Sequence, residues 1–291
     1  MKNALIISLL AIILLQNAAF CQNADTLNFL SKKWQTTDLG NGLTEQHYQF
    51  RDKELFNANQ NIHILKSNRR TCRDRRRSVV AFVSDGDSLE LTSILAQQNK
   101  ALAAINGSFF DTKKGGAVDF IRINNQILDT TVHNGKRLAE HQMSALVIKN
   151  NKIWMEKARD SLDFRWETRI DAPNVMVTGP LLVWDGKRYP LSKSAFNDNR
   201  HPRSCVCLTD KKELILLTAD GRTAEAQGLN LHELTTLMLE LRCKTAVNLD
   251  GGGSTTLYLD NKGVVNMPCD NKKFDHEGER KVSNILIFKK E

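Results

Sequence analysis

Residues 245–256 read TAVNLDGGGSTT and join a short apolar run to three consecutive glycines. An apolar run of this length that ends at a turn is typical of a buried strand. The glycines allow positive φ angles and a close approach of a ligand to the backbone, and successive free N–H groups there could bind an anion. The Gly-Lys-Ser/Thr ending of a nucleotide-binding loop and the G-x-S-x-G frame of a nucleophile elbow are both missing. The stretch predicts a ligand-binding strand end at Asp250, with a glycine-rich hairpin as the plainer alternative.

A helix precedes this strand and completes a strand–helix–strand pattern. Residues 214–217 are an apolar strand-like run that ends at Asp220-Gly-Arg222, and Asn230 with Glu233 predicts a capped helix start. The apolar residues that follow at helical spacing form one face. Such a unit normally makes two parallel strands whose carboxyl ends lie at the same edge of the sheet, where ligands bind. We therefore expect Asp220-Gly-Arg222 and Asp250 to be neighbours.

An earlier stretch repeats the pattern. Residues 79–83 are strand-like, residues 91–98 have a helical apolar stripe, and residues 102–105 return as a strand. That second strand ends at Asn106-Gly-Ser-Phe-Phe-Asp111, which places an amide, a hydroxyl and a carboxylate on a tight turn. The likeness of the two patterns suggests an internal duplication.

The order of these elements predicts the fold class. Asn124-Asn125 and Asn150-Asn151 separate strand-like runs and are typical of hairpin turns. No Pro-, Ser- or Gly-rich linker divides residues 61–291, whereas residues 22–60 are polar and weakly periodic. We predict an α+β (mixed α/β) fold for 61–291, a single domain with a mixed β-sheet core that contains strand–helix–strand units and an active cleft at the strand carboxyl ends. Residues 22–60 are predicted to be an N-terminal extension.

The first residues have the pattern of a secretory signal. Lys2 precedes an apolar run over residues 4–15, and small residues follow at Ala18 and Ala19. The run is too short to span a bilayer. We predict a cleaved signal peptide over residues 1–21, a secreted or periplasmic protein, and no membrane span in the mature chain. The alternative is a lipid anchor on Cys21, which the bulk of the preceding phenylalanine disfavours.

The composition excludes several classes of protein. With 41% apolar and 25% charged residues, the 291-residue chain is neither disordered nor of low complexity. The net charge of +8 does not by itself indicate a nucleic-acid binder. Six arginines lie in Arg69–Arg77 and suggest a patch for an anionic polymer or a solvated loop. No aromatic residue is interleaved for base stacking, so the loop is favoured and no nucleic-acid partner is expected.

Five cysteines follow Cys21, and in an oxidising compartment an odd number leaves at least one free. Cys205 and Cys207 are two residues apart in a strand-like run, so they face the same side and are poorly placed to bridge each other. A zinc site that also uses His201 is an alternative. We interpret both as small buried side chains.

Three further segments carry polar side chains that suit an anionic ligand. Pro202-Arg203-Ser204 combines a guanidinium with a hydroxyl, and Asp220-Gly-Arg222 combines a carboxylate with a second guanidinium. Gly278-Glu-Arg280 adds a third arginine. Each has a plainer interpretation as a surface loop or a salt-bridged turn.

Together the motifs resemble the phosphodiester glycosidase family, the relatives of N-acetylglucosamine-1-phosphodiester α-N-acetylglucosaminidase. The resemblance covers roughly residues 100–290. Its motifs are Asn106-Gly-Ser-Phe-Phe-Asp111, Thr178-Gly-Pro180, Pro202-Arg-Ser204, Asp220-Gly-Arg222, Gly228-Leu-Asn-Leu231, Asn248-Leu-Asp-Gly-Gly-Gly-Ser254 and Arg280-Lys-Val-Ser-Asn284. It implies a hydrolase that cleaves a sugar-1-phosphodiester of the GlcNAc-1-phosphodiester type, releases the sugar and leaves a phosphomonoester.

Roles follow from the charge of such a substrate. The phosphate needs neutralisation, and the oxocarbenium-like anomeric centre needs a carboxylate. Asp250 and Asp220 are the candidate base or nucleophile, and Arg203 completes the predicted catalytic set. The residues predicted to bind substrate are Asn106, Asp111, Ser204, Arg222, Gly251, Gly252, Gly253, Ser254 and Arg280. Of these, Ser204 and the Gly251–Gly253 amides would hold the phosphate with Arg203.

Two alternatives belong to other classes. One is a phosphodiesterase that acts on a cell-envelope or exopolysaccharide linkage, and the other is a non-catalytic glycan-binding module. The expected partner is a small-molecule or glycan phosphodiester. No cofactor is required by the proposed chemistry, while a calcium ion among Asp111, Asp220 and Asp250 is an alternative because their oxygens are hard ligands.

Overall fold

The computed structural model describes residues 25–67, 78–132 and 135–290. The helices are α1 (25–31), α2 (Thr92–Gln98), α3 (Ala195–Asp198) and α4 (Leu231–Glu240), with short 3₁₀ turns at Glu140–Gln142, Trp166–Arg169 and Gly252–Ser254. The strands are β1 (Gln35–Gly40), β2 (Leu43–Leu55), β3 (Ala58–Ser67), β4 (Ser78–Ser84), β5 (Glu90–Leu91), β6 (Ala101–Asn106), β7 (Ile121–Ile123), β8 (Gln126–Asp129), β9 (Ser144–Lys149), β10 (Lys152–Lys157), β11 (Asn174–Val177), β12 (Leu181–Trp184), β13 (Lys187–Arg188), β14 (Arg203–Thr209), β15 (Leu214–Ala219), β16 (Cys243–Asn248), β17 (Leu257–Leu259), β18 (Gly263–Val264), β19 (Lys281–Val282) and β20 (Asn284–Lys290).

Three larger sheets contain most of the described strands. Their strand orders are β1-β2-β3-β15-β14-β16-β12-β13, β10-β9-β11-β7-β8 and β18-β17-β6-β20-β4, and β19 pairs with β5. A central apolar cluster forms where the three sheets meet. It includes Val206 and Val247 of the first sheet, Leu146 of the second, and Ile105 and Leu286 of the third. Strand is the main secondary structure, and helices are few, as in an α+β fold.

Helix α4 covers the other face of the eight-stranded sheet, and its start was predicted correctly. The Asn230 side chain accepts the N–H of Glu233 at 2.8 Å, and the Glu233 carboxylate accepts the N–H of Asn230 at 3.0 Å. These reciprocal bonds satisfy two backbone donors that the first turn of a helix leaves free. The apolar face, with Leu234 and Leu237 fully buried, packs on the sheet beside Cys205.

The two strand–helix–strand units differ from the expectation in one respect. Strands β15 and β16 run in the same direction but are not hydrogen-bonded to each other, because β14 lies between them and is antiparallel to both. In the same way, β20 lies between β4 and β6. Each helix therefore crosses one intervening strand. The described strand pairs are antiparallel, so these sheets are not mixed, but the carboxyl ends within each unit still lie at one edge.

The predicted N-terminal extension is part of the eight-stranded sheet. Strands β1 and β2 form a hairpin, β2 pairs with β3, and β3 pairs with β15. The predicted boundary at residue 60 falls within β3. The alternation of polar and apolar side chains is weak there, because one face of β1 and β2 is exposed while Phe50 and Leu55 point into the core.

The two predicted hairpin turns are confirmed. Asn124-Asn125 joins the antiparallel pair β7 and β8, and Asn150-Asn151 joins β9 and β10. All four asparagines have positive φ, the conformation that two-residue hairpin turns require.

One disulfide joins two of the described cysteines, and its pairing was left open by the sequence. Cys205 and Cys207 face the same apolar cluster, as expected, but Cys207 forms a disulfide with Cys243, which joins β14 to β16. The interpretation of both as small buried side chains is confirmed, and the sulfur of Cys207 is not available to a zinc ion. Cys205 is a free buried thiol, and burial raises its pKa.

Several predictions concern residues outside the described part of the chain: the signal peptide over 1–21, Cys21 and the Arg69–Arg77 cluster. Among the described helices, none has the length and apolar character needed to cross a membrane.

Candidate active site

Asp250 follows β16 and is held at both of its backbone polar groups. Its N–H donates to the carbonyl of Gly107 at 3.0 Å, and its carbonyl accepts the side-chain amide of Asn106 at 2.7 Å. The preceding N–H, that of Leu249, donates to the carbonyl of Ser204. The ends of β6 and β16 and the start of β14 therefore meet at this point.

The side chains of Asn106 and Ser204 form hydrogen bonds within the protein. Both are fully buried, and the Ser204 hydroxyl donates to Asn106 Oδ1 at 2.6 Å. The same oxygen accepts the N–H of Thr256 at 3.2 Å. The prediction that these two side chains contact substrate is corrected, because their polar atoms bond to each other and to the backbone around Asp250. They position the site.

The carboxyl of Asp250 is half-buried. Its Oδ1 accepts the N–H of Gly251 at 2.9 Å. Burial raises the pKa of Asp250 to about 6, against the opposing effects of the nearby Ser254 hydroxyl, the Gly251 N–H and the guanidinium groups of Arg280 and Arg222. This carboxyl therefore changes charge close to neutral pH, which is typical of acid–base and nucleophilic groups in active sites.

The three glycines allow side chains, rather than an anion, to approach the backbone. A methyl group added at Gly252, where φ is +62°, would lie 3.0 Å from Arg222 Nη2. One added at Gly253 would lie 2.6 Å from Arg280 Nη2 and 1.8 Å from Asp270 Oδ1. Two of the three N–H groups of the expected anion-binding nest are used within the protein, because the N–H of Gly251 donates to the Asp250 carboxylate and that of Gly252 to the carbonyl of Pro202.

Two guanidinium groups flank Asp250. Asp270 fixes Arg280 through a bidentate pair in which Nε and Nη2 each donate at 2.7 Å. Arg222 is exposed, and its Nη1 donates to Cys269 Sγ at 3.7 Å. The structure thus brings Asp220-Gly-Arg222 next to the triple glycine, with Arg222 as the member that faces Asp250.

Asp220 has a structural task. The residue is 1% exposed. Its carboxylate accepts hydrogen bonds from the side-chain amides of Asn61 at 2.7 Å and Asn266 at 2.8 Å and from the N–H of Met267 at 3.0 Å. It ties β3 to the segment after β18. A carboxylate with three internal donors is not free to attack an anomeric carbon, so its predicted catalytic role is corrected.

Arg203 is likewise used within the fold. It is 1% exposed, and its guanidinium donates to the carbonyls of Leu229, Phe196 and Asn199 at 2.9, 2.6 and 3.1 Å. Its carbon Cζ lies 4.8 Å from the centre of the Phe196 ring. Burial and the nearby Arg222 lower the pKa of Arg203 to about 10. The predicted phosphate contact is corrected, since this arginine holds the segment around α3.

Asp111 forms a turn. Its Oδ1 accepts the N–H groups of Lys113 and Lys114, and these bonds lower its pKa. Among the residues that the structure describes, no three His, Cys, Asp or Glu side chains form a group that could hold a metal ion. Asp111, Asp220 and Asp250 are therefore not assembled as the calcium alternative requires.

Phe109, His141 and Phe196 form a cluster of rings, and the contacts of Phe109 with the other two rings were not predicted. Phe109 contacts the His141 ring at a centroid distance of 5.1 Å and the Phe196 ring at 5.9 Å. Phe109 lies two residues after Gly107, whose carbonyl accepts the N–H of Asp250, so the ring cluster is joined to the segment that holds the Asp250 backbone. The Asn106-Gly-Ser-Phe-Phe-Asp111 motif signalled Phe109. His141 and Phe196 carry no sequence signal, and neither does Asp270, because each acts through a contact between distant segments.

Comparisons with known proteins identify the family of this chain. The model of the phosphodiester glycosidase family matches residues 99–289. N-acetylglucosamine-1-phosphodiester alpha-N-acetylglucosaminidase of Homo sapiens is 43% identical over 68 residues, which are 23% of this chain and 13% of that protein. The Bos taurus protein of the same name is 41% identical over 68 residues, 23% of this chain and 12% of its own length. The uncharacterized SPbeta prophage-derived protein YomE of Bacillus subtilis (strain 168) is 30% identical over 98 residues, 33% of this chain and 15% of that protein. The chain thus spans only a small part of the length of these curated relatives.

Solved structures are similar over most of the chain. The catalytic domain of zebrafish N-acetylglucosamine-1-phosphodiester alpha-N-acetylglucosaminidase, auto-inhibited by its pro-peptide, has a TM-score of 0.66 at 20% identity and covers 89% of this chain and 88% of its own. A hypothetical protein from Synechocystis has a TM-score of 0.63 at 14% identity and covers 89% and 64%. These similarities show the fold.

Proposed function

Because this chain belongs to the phosphodiester glycosidase family, we propose that it hydrolyses a sugar-1-phosphodiester, releases the sugar and leaves a phosphomonoester. The observation that carries the proposal is one carboxyl, Asp250, beside the guanidinium groups of Arg222 and Arg280. This set of groups matches the charges of such a substrate. The name of the human and bovine relatives supports an N-acetylglucosamine unit as the sugar.

The two arginines would bind the diester anion. Arg222 is exposed and donates to a thiol, which is a weak acceptor, so a phosphate oxygen is a better partner for its guanidinium. Arg280 keeps Nη1 for a ligand, while Asp270 holds Nε and Nη2. Positive charge on the phosphate helps it to leave as a phosphomonoester, since negative charge develops there as the C1–O bond breaks.

Asp250 would face the anomeric carbon. Positive charge develops on that carbon in the transition state, and a carboxylate placed beside it lowers the barrier as a nucleophile or as an electrostatic partner. With its pKa raised to about 6, Asp250 is mostly ionised at neutral pH. Asn106 and Ser204 hold its backbone at the junction of two sheets, so the carboxylate is placed before substrate binds.

Secretion or a periplasmic location is part of the proposal. The pattern of residues 1–21 supports it. The Cys207–Cys243 disulfide supports it as well, because such bonds persist in oxidising compartments. A glycan phosphodiester of the cell envelope or of an exopolysaccharide would be met there.

The proposal is tested by incubating the purified protein with a panel of sugar-1-phosphodiesters in ¹⁸O-water. We expect released reducing sugar with the label on C1. Label in the phosphate would identify a phosphodiesterase that breaks the P–O bond, and binding without turnover would identify a glycan-binding module. Asp250→Asn should abolish sugar release, whereas the matched control Asp260→Asn, which changes an exposed carboxyl after β17, should not.

A further inference from the structure

His141 and Asp119 form a second ionisable pair, and the ring of His141 contacts Phe109. His141 in the 3₁₀ turn Glu140–Gln142 places Nε2 3.4 Å from Asp119 Oδ2. Asp119 is wholly buried, and its Oδ1 accepts the side-chain amide of Gln142 at 3.0 Å. Among the described residues Oδ2 has no hydrogen-bond partner of its own. The imidazole keeps 33% of its side-chain surface exposed, so it is the part of the pair that a ligand can reach.

Two separate series of packing contacts and hydrogen bonds link His141 to the segment of Asp250. Through the first, the His141 ring contacts Phe109, and the carbonyl of Gly107 two residues earlier accepts the N–H of Asp250. Through the second, Gly179 packs so closely on His141 that an added methyl group would lie 2.9 Å from its Cα. The carbonyl of Gly179 in turn accepts the side-chain amide of Asn248, two residues before Asp250.

In this pair the imidazole of His141 can act as a base, and the carboxyl of Asp119 can orient it. A carboxylate that faces one imidazole nitrogen orients the ring and stabilises the imidazolium that forms when the other nitrogen takes a proton. Burial lowers the pKa of His141, so its ring is neutral and able to accept a proton at neutral pH. Burial raises the pKa of Asp119 to about 7, and a positive charge on the adjacent ring would favour its ionised form.

We propose that His141 is the second catalytic residue of this site, the base that accepts a proton from the hydrolytic water, and that Asp119 is its positioning residue. The inference rests on the proposed hydrolysis of a sugar-1-phosphodiester. The water oxygen bonds to C1, the bond from C1 to the phosphate oxygen breaks, and its electron pair remains on the phosphate. The proton of the water passes to the imidazole and from there to solvent. Asp250 stabilises the charge on C1, so the two groups have separate tasks.

The test compares three variants on the sugar-1-phosphodiester that the wild-type protein cleaves best. His141→Gln keeps a polar side chain of similar length but cannot accept a proton, and it should lower kcat by about 10²–10⁴-fold, the usual contribution of a general base. Asp119→Asn should lower kcat while KM stays unchanged, because Asp119 does not touch substrate. The matched control His232→Gln changes an exposed histidine that also faces a carboxylate, that of Asp198, and should retain full activity.

A rescue experiment separates a catalytic from a structural role. Added imidazole should restore part of the activity of His141→Ala and none of that of Asp250→Asn, because only the former lacks a base that imidazole can replace. An active wild-type protein whose His141→Gln variant keeps its kcat would overturn this inference and leave the proposed function standing. Failure of imidazole to rescue His141→Ala, with unchanged melting temperature, would also overturn it. A wild-type protein that cleaves no sugar-1-phosphodiester would overturn both proposals.

Discussion

The side-chain amide of Asn106 donates to the backbone carbonyl of Asp250 at 2.7 Å, and this bond joins two sheets. Asn106 is the last residue of β6 in a five-stranded sheet, whereas Asp250 follows β16 of the eight-stranded sheet. The other polar atom of the Asn106 side chain accepts the Ser204 hydroxyl. The place of the Asp250 carboxyl therefore depends on a buried amide whose two polar atoms bond within the protein.

Replacing this amide should loosen the junction. Asn106→Ala leaves the Ser204 hydroxyl and the N–H of Thr256 without their acceptor in a buried place, and each such loss costs about 1–3 kcal/mol. We expect a lower free energy of unfolding in urea and a lower kcat. Asn261→Ala, which changes an exposed asparagine between β17 and β18, is the control and should change neither. Unchanged stability of Asn106→Ala would show that the junction does not need this amide.

Asp220 and Asp250 should respond differently to the same substitution. Asp220→Asn places an amide NH₂ against donors from Asn61, Asn266 and Met267, and we expect a loss of stability of about 1–3 kcal/mol or more. Asp250→Asn should keep the fold and lose turnover. The measurement is the melting temperature together with kcat for both variants. A fully active and stable Asp220→Asn protein would contradict the structural task assigned to Asp220.

Arg222 should contribute mainly to binding of the diester. A charge-assisted hydrogen bond to phosphate is worth about 1.5–3 kcal/mol, so Arg222→Gln should raise KM by about 10- to 100-fold. Its side chain is exposed, and the variant should melt close to the wild-type temperature. Steady-state kinetics give KM, and Arg51→Gln, an exposed arginine of β2, is the matched control. An unchanged KM would place the phosphate elsewhere.

The parts of the site that could be predicted from sequence are those encoded by neighbouring residues. The run TAVNL followed by Asp250 and three glycines indicated a strand end in any context, because an apolar run and a glycine turn are local features. The Asn230 cap with Glu233 is equally local. The closeness of Arg222 to the triple glycine followed from the shared direction of β15 and β16, which does not depend on whether the two strands pair.

The roles of charged side chains could not be predicted in the same way. Arg203 and Asp220 lie in the motifs that suggested ligand contacts, yet each finds its partners in distant segments, at Phe196 and Leu229 for the arginine and at Asn61 and Asn266 for the carboxylate. A buried charge requires such partners, and the sequence does not say whether a ligand or the protein provides them. The pairing of Cys207 with Cys243 depends in the same way on the sheet order, which brings β14 next to β16.

The Cys207–Cys243 disulfide should stabilise the fold and take no part in catalysis. It closes a loop of 36 residues, for which a contribution of about 2–4 kcal/mol is typical. We expect the double variant Cys207→Ala with Cys243→Ala to unfold at lower urea concentration and to lose its sensitivity to reductant. Cys205→Ala removes a free thiol from the same cluster and should remain sensitive to reductant, so it is the control. Equal midpoints with and without reductant in the wild-type protein would contradict this contribution.

The stability of the protein should depend on the charge of Asp250 between pH 4 and pH 7. The folded protein holds the proton of this carboxyl more tightly than the unfolded chain does, because burial raises the pKa of Asp250 from 3.8 to about 6. Ionisation of Asp250 therefore opposes folding, and stability falls as the pH rises through this range. Asp119, with a pKa of about 7, contributes in the same direction. Since Asp250→Asn cannot ionise, it should melt at a higher temperature than the wild-type protein at pH 7.5 and at the same temperature at pH 3, below the pKa of 3.8 of an unfolded aspartate. Thermal melts at both pH values test this, and a variant less stable than wild type at pH 7.5 would show that the Arg222 and Arg280 charges outweigh burial.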